Sequence, residues 1–190
     1  MRVNASVIKL AVLVLSITVL ATPISLATAL ADRPDNVIQR QHGMKEVANA
    51  AKTINAMFKD SSHYDAKTFK AAAETVRAHS GAALTALFEG PVTTRGSKAS
   101  ASIETERQQF DKLANDLGIY ASALSVAADR NPHALGPETR MQGGEAMMGG
   151  PLAKKFDAAR EAELMPAEHA FHLMLQTCTS CHAKFWIETK

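Results

Sequence analysis

Phe110-Asp111-Lys112-Leu113-Ala114-Asn115-Asp116-Leu117-Gly118-Ile119-Tyr120-Ala121-Ser122-Ala123-Leu124 is the stretch whose spacing decides the fold. Its large apolar residues, Phe110, Leu113, Leu117, Tyr120 and Leu124, recur every three or four positions in a stripe that begins at Ile103 and runs on to Ala127. Residues at that spacing share one face of an α-helix, whereas a half-buried strand would alternate apolar and polar residues. Asn131-Pro132 stops the run, because proline disfavours helical geometry in the residue before it.

The same period appears on either side. Towards the N-terminus, Val37, Met44, Ala51 and Phe58 are spaced by sevens, with Val47, Ala48 and Ile54 on the same face and Asp35 placed as an N-cap. After the loop Lys59 to Tyr64, Asp65 caps a second predicted helix with the stripe Phe69, Ala72, Val76, Ala83, Leu84 and Leu87, ended by Gly90-Pro91. Val92 to Ser102, rich in Ser, Thr and Gly, reads as a connection to the third helix. Past Pro132 the sequence turns to Gly, Pro, His and Met without a period, so 132–150 reads as an irregular loop and Leu152 to Met165 as a short extra helix. Pro166 then stands where a first-turn proline opens the last long helix, with Phe171, Met174, Leu175, Cys178, Cys181, His182 and Phe185 on one face. Strand-like runs are almost absent, no solenoid repeat is visible, and the fold class expected is all-α.

The first 31 residues read differently. Arg2 and Lys9 precede an apolar run from Leu10 to Leu20, the pattern of a secretory signal peptide, and of two small-residue cleavage patterns, Ala27-Thr28-Ala29 and Ala29-Leu30-Ala31, the second is preferred because it leaves a polar start at Asp32. The apolar core is short for a bilayer span, and Pro23 follows it closely. Cleavage after Ala31 leaves 159 residues (190 minus 31), one domain spanning 32–190. Removing Arg2 and Lys9 leaves 19 basic residues (21 minus 2) against 19 acidic ones, a balance that gives no footing for nucleic-acid binding. The export signal places the mature chain in the periplasm, not spanning the membrane after cleavage.

Chemistry concentrates in Cys178-Thr179-Ser180-Cys181-His182, the C-x-x-C-H pattern of covalent haem attachment. On one helix face, two thiols three residues apart reach the two vinyl carbons along one porphyrin edge, and His182 presents a neutral imidazole to the iron. Three other readings compete. A disulfide between Cys178 and Cys181 would close too short a loop to stabilise much. A zinc site wants further Cys or His ligands at close spacing. A thioredoxin-like redox pair belongs at a helix start in a βαβ unit, and here the motif lies near the end of the last helix.

A C-x-x-C-H motif at the very end of an all-α chain resembles the cytochrome c′ superfamily and its low-spin six-coordinate relatives. The segment Val37-Ile38-Gln39-Arg40 followed by Met44 is similar to the family's early helix, which places an arginine and, four residues later, a side chain on the distal side of the haem. The resemblance implies an up-down-up-down four-helix bundle carrying one haem c near its C-terminal helix. It further implies Arg40 beside a haem propionate and pairing of two copies through the first two helices. Two features depart from the family pattern: Trp186 stands where many relatives have an arginine near the proximal face, and the 132–165 stretch exceeds the usual connection.

Met44 separates two functions. With its sulfur on the iron opposite His182, the haem is low-spin and the protein an electron carrier for redox partners in the periplasm or membrane, the reading placed first here. With Met44 only packing, as methionines at helical core spacing commonly do, the iron keeps an open position under an apolar lid suited to NO or CO. His42 and His79 are further candidates for a sixth ligand. Phe185, three residues after His182, faces the haem side, while the remaining stripe aromatics are core. No carboxylate pair, nucleophile-base arrangement or phosphate-binding glycine loop marks an enzyme.

Overall fold

The computed structural model describes residues 34–141, 162 and 164–187; the expected signal peptide and the expected 152–165 helix lie almost wholly outside them. Helices are α1 (Pro34–Lys59), α2 (Ala66–Ala78), α3 (Gly81–Thr85), α4 (Ser102–Thr105), α5 (Arg107–Arg130) and α6 (Ala167–Phe185). The long ones, α1, α2, α5 and α6, form the up-down-up-down four-helix bundle. Helix α1 packs on α2, α2 on α5 and α5 on α6. Among the described residues α1 and α6, the pair that would close the square, barely meet.

Local chemistry sets the helix ends. The Asp65 carboxylate accepts from the Thr68 amide at 2.7 Å, giving α2 the side-chain cap its sequence promised. Helix α1 instead starts at Pro34, which puts Asp35 in the first turn and not at the cap. The second helix is shorter than its stripe. It breaks at His79-Ser80, where Gly81 takes φ +54° and a new short helix starts, so Ala83 turns outward while Leu84 stays buried. Close approach across the bundle fixes that break: a Cβ on Gly118 of α5 would lie 2.7 Å from the Ser80 Oγ, which donates to the Arg77 carbonyl.

The core divides in two. The larger cluster takes Val47, Ile54, Met57 and Phe58 from α1, Phe69 and Val76 from α2, Leu117, Tyr120 and Leu124 from α5, and Phe171 and Met174 from α6. Each fully buried side chain of that size contributes roughly 1.5–3 kcal/mol, so most apolar stabilisation resides there. The smaller cluster holds Leu84, Val92, Ile103, Phe110, Ala114 and Phe185, with Met44, Phe88 and Cys181 packed against it. Ala48, expected on the buried face of α1, is exposed.

The connection after α3 also tethers the end of α6. The Ser100 amide donates to the Phe185 carbonyl at 2.9 Å and the Ile187 amide to the Lys98 carbonyl at 2.8 Å, an isolated antiparallel bridge pairing Ala99 with Trp186. On the other side of the bundle, Arg140 donates to the Phe58 carbonyl at 2.7 Å and the Met141 amide donates to the Glu168 carboxylate, tying the post-α5 loop to the end of α1 and the start of α6.

Candidate functional site

The boundary between the two clusters runs through the C-x-x-C-H motif. Cys178 packs against the larger cluster and Cys181 against the smaller. The same boundary falls on α1 between Met44 and Val47, and on α5 between Ala114 and Leu117. Three helices thus change cluster at one level of the bundle. Among the described residues, the side of the bundle between α1 and α6 is the one the packing leaves weakest. A flat apolar ring entering between α1 and α6 would extend both clusters, with both cysteines along its edge. The residues present fit a haem.

Each thiol is half-buried and unpaired with the other. Burial raises both, Cys178 above the usual thiol range and Cys181 to about 11, where the neighbouring Cys178 adds to the effect. A redox pair needs the opposite, a thiol depressed towards neutrality. Among the described residues, no group of three or more His, Cys, Asp or Glu is arranged to hold a metal ion, which leaves the zinc reading without support. His182 is exposed as a residue, and partial desolvation by the surrounding protein lowers its imidazole below the ordinary histidine value. A neutral imidazole keeps the lone pair that an iron ligand needs.

Met44 is half-buried in the same cluster as Cys181, Leu84, Phe88 and Phe110. Arg40, one turn earlier, is a buried helix charge, only 7% exposed. Its Nε donates to the Asn36 carbonyl at 3.2 Å, and its guanidinium lies 4.4 Å from the centroid of the Phe88 ring. Phe185 is 4% exposed and meets Phe110 edge to face at 5.5 Å, and Phe110 meets Phe88 at 4.8 Å, so three aromatic rings in sequence back the site. His42 is exposed on α1, and the His79 ring presses against Gly43, where an added Cβ would come within 2.9 Å of its Nδ1.

Phe88, Trp186 and Lys98 belong to this neighbourhood and carried no functional assignment in the sequence. Phe88 was hidden by the break in the second helix, past which the stripe no longer tracks one face. Trp186 had a signal, since it follows His182 by one turn, and its ring centroid lies 5.8 Å from the imidazole. The clefts lined by Ala123, Arg130 and Met165 and by Ser80, Asn115 and Ser122 lie away from the motif, in the larger half and at the α2–α3 break.

A sequence model of the family described as Cytochrome C′ matches residues 35–147, which takes in α1 to α5 and stops before Cys178. Among solved structures, cytochrome c′ from Thermochromatium tepidum is similar at 23% identity with a TM-score of 0.56, over 81% of this chain and 95% of that one. A cytochrome c′ described as having an unusual ligand-controlled dimer dissociation matches at 19% identity and TM-score 0.56 with the same coverage. Cytochrome c prime from Shewanella frigidimarina matches at 20% identity and TM-score 0.55, again over 81% and 95%. At such identities the likeness establishes the fold. No curated protein sequence matches significantly.

Proposed function

The chain belongs to the cytochrome c′ family, whose members bind covalently attached haem c, and on that premise we propose that it is a periplasmic haem protein binding small uncharged ligands such as NO or CO on the side facing Met44. When bound, the haem supplies an iron that accepts axial ligands and exchanges one electron. Cys178 and Cys181 would hold it through thioethers, His182 would provide the permanent ligand, and Arg40, one turn from Met44, would suit a propionate once Phe88 yields it. The observation that carries the reading is the company Met44 keeps. It packs in an apolar cluster with Leu84, Phe88 and Phe110, side chains that offer no hydrogen bond to a polar ligand.

Met44 as the sixth ligand, the arrangement of an electron carrier, is the second reading, favoured by its place in one cluster with Cys181. An optical spectrum separates the two. The open-site reading expects a broad high-spin spectrum and rapid CO binding, with Met44→Ala accelerating CO entry and leaving the spin state alone. Sharp low-spin bands that turn high-spin in Met44→Ala would establish the electron carrier instead.

Export follows from the leader, with cleavage after Ala31 as the expected processing, read out by N-terminal sequencing of the mature protein. Among the described residues no helix is long and apolar enough to cross a membrane. A homodimer through α1 and α2 would cover Ile38, which is 65% exposed, and sedimentation with and without CO tests both the pairing and any coupling to ligand.

A further inference from the structure

Among the described residues, the His182 imidazole lies beside the Trp186 indole, and the Lys98 ammonium lies over that indole in turn. The indole centroid lies 5.8 Å from the imidazole centroid, with the planes inclined by 43°. The Lys98 ammonium lies 5.6 Å from the indole centroid, within cation–π range. Backbone bonds hold both partners in place. The Trp186 amide donates to the His182 carbonyl at 3.2 Å, and the Ala99–Trp186 bridge with the Ile187 amide on the Lys98 carbonyl clamps the two segments together. A loop of the α3–α4 connection, remote in sequence, is therefore fastened to the end of α6 so that a lysine stands one ring away from the histidine.

We propose that Trp186 and Lys98 form a positioning pair that raises the reduction potential of the haem iron: Trp186 keeps water from one side of His182, and Lys98 adds a positive charge behind it. The physical basis is the charge difference between the two oxidation states. Ferric haem carries one more positive charge than ferrous haem, so a fixed cation nearby disfavours the ferric form, and so does replacing water by an indole, which solvates charge less well. Lys98 is exposed and its effect screened by salt, so it is greatest at low ionic strength. Trp186 is 46% exposed, which makes it a partial shield with the ammonium attached to its outer side.

The inference rests on His182 being the axial ligand, and the test keeps the two apart. Midpoint potentials are measured by spectroelectrochemistry on haem-loaded protein at low and high salt, for the parent, Lys98→Gln, Lys98→Arg, Trp186→Ala and Trp186→Phe. Lys98→Gln is expected to lower the midpoint, more at low salt than at high, and Lys98→Arg to restore it. Trp186→Ala is expected to lower it further, with Trp186→Phe, the variant that keeps an aromatic ring and the fold, falling between. In the double variant the two drops should add to less than their sum, because Lys98 acts from a position that Trp186 holds. Trp186 is the only tryptophan in the chain, so its emission in the holoprotein should be strongly quenched by the haem. Unchanged midpoints in Lys98→Gln and Trp186→Ala, or a bright tryptophan in the parent, overturn the pair while leaving the haem site standing. A parent that takes up haem with the spectrum unchanged in His182→Ala overturns the axial assignment, and the pair with it.

Discussion

The two halves of the core are built by different means. The larger one is closed by four long helices and by rings that touch in series: Tyr64 on Phe69 at 5.6 Å, Phe69 on Phe58 at 5.5 Å and Phe58 on Phe171 at 5.5 Å. In the smaller one, short helices and a connection stand where a long helix would, held by side chains that reach backbone. Arg107 donates to the Phe88 and Thr85 carbonyls at 3.0 Å each, and the Val92 amide donates to Glu104. The larger half is closed mostly by its own side chains and touches the motif only at Cys178, whereas the smaller half has Met44, Phe88 and Cys181 packed against it. Residues that hold the fold and residues that shape the candidate site are consequently largely different sets.

Phe171→Ala should widen that contrast most. Removing a ring 2% exposed in the larger half is expected to cost about 3–5 kcal/mol in urea unfolding, with the haem spectrum unchanged. A shifted spectrum at full stability would mean the halves are not separate. Phe88→Ala works in the opposite sense. The ring is only half-buried, so roughly 2 kcal/mol is expected, but it releases Arg40 and opens the cluster behind Met44, and CO binding should change. Unaltered CO kinetics would remove Phe88 from the site.

Gly118→Ala probes the junction between the halves. The new methyl displaces the Ser80 hydroxyl from the Arg77 carbonyl, at about 1–2 kcal/mol, and Ser80→Ala in the same chain should recover part of the loss. The smallest effect is expected within the larger half. Ser125 donates to Glu74 at 2.7 Å and, with Arg77, holds that carboxyl below the usual carboxylate range. Because the folded value is the lower one, the stabilisation is present above the unfolded value near about 4.3 and is lost as pH falls through the folded one. Ser125→Ala should flatten that acid loss and cost less than about 1 kcal/mol at neutral pH, the carboxylate being partly exposed.

Much of the fold is legible in the amino-acid sequence. The stripe Phe110, Leu117, Tyr120 and Leu124 is buried as its spacing required, as are Val37, Ile54 and Phe58. The period of 3.6 is dictated by helix geometry alone. Periodicity failed where the backbone changed direction: it carried the second helix past Ser80-Gly81, although a Ser-Gly pair is itself a turn signal. The motif singles out Cys178, Cys181 and His182 as candidates because its chemistry is local. Phe88 beside Arg40 and Lys98 beside Trp186 were not legible, since each pair joins segments about 50 to 90 residues apart whose meeting depends on how loops close, and no spacing encodes that.

Mass spectrometry of the mature protein, produced in cells competent for haem attachment, tests the central claim most directly. A proteolytic fragment spanning Cys178 to His182 should carry one haem, and the Cys178→Ala, Cys181→Ala double variant should carry none. That fragment at its bare peptide mass, with both thiols open to alkylation, would contradict the account.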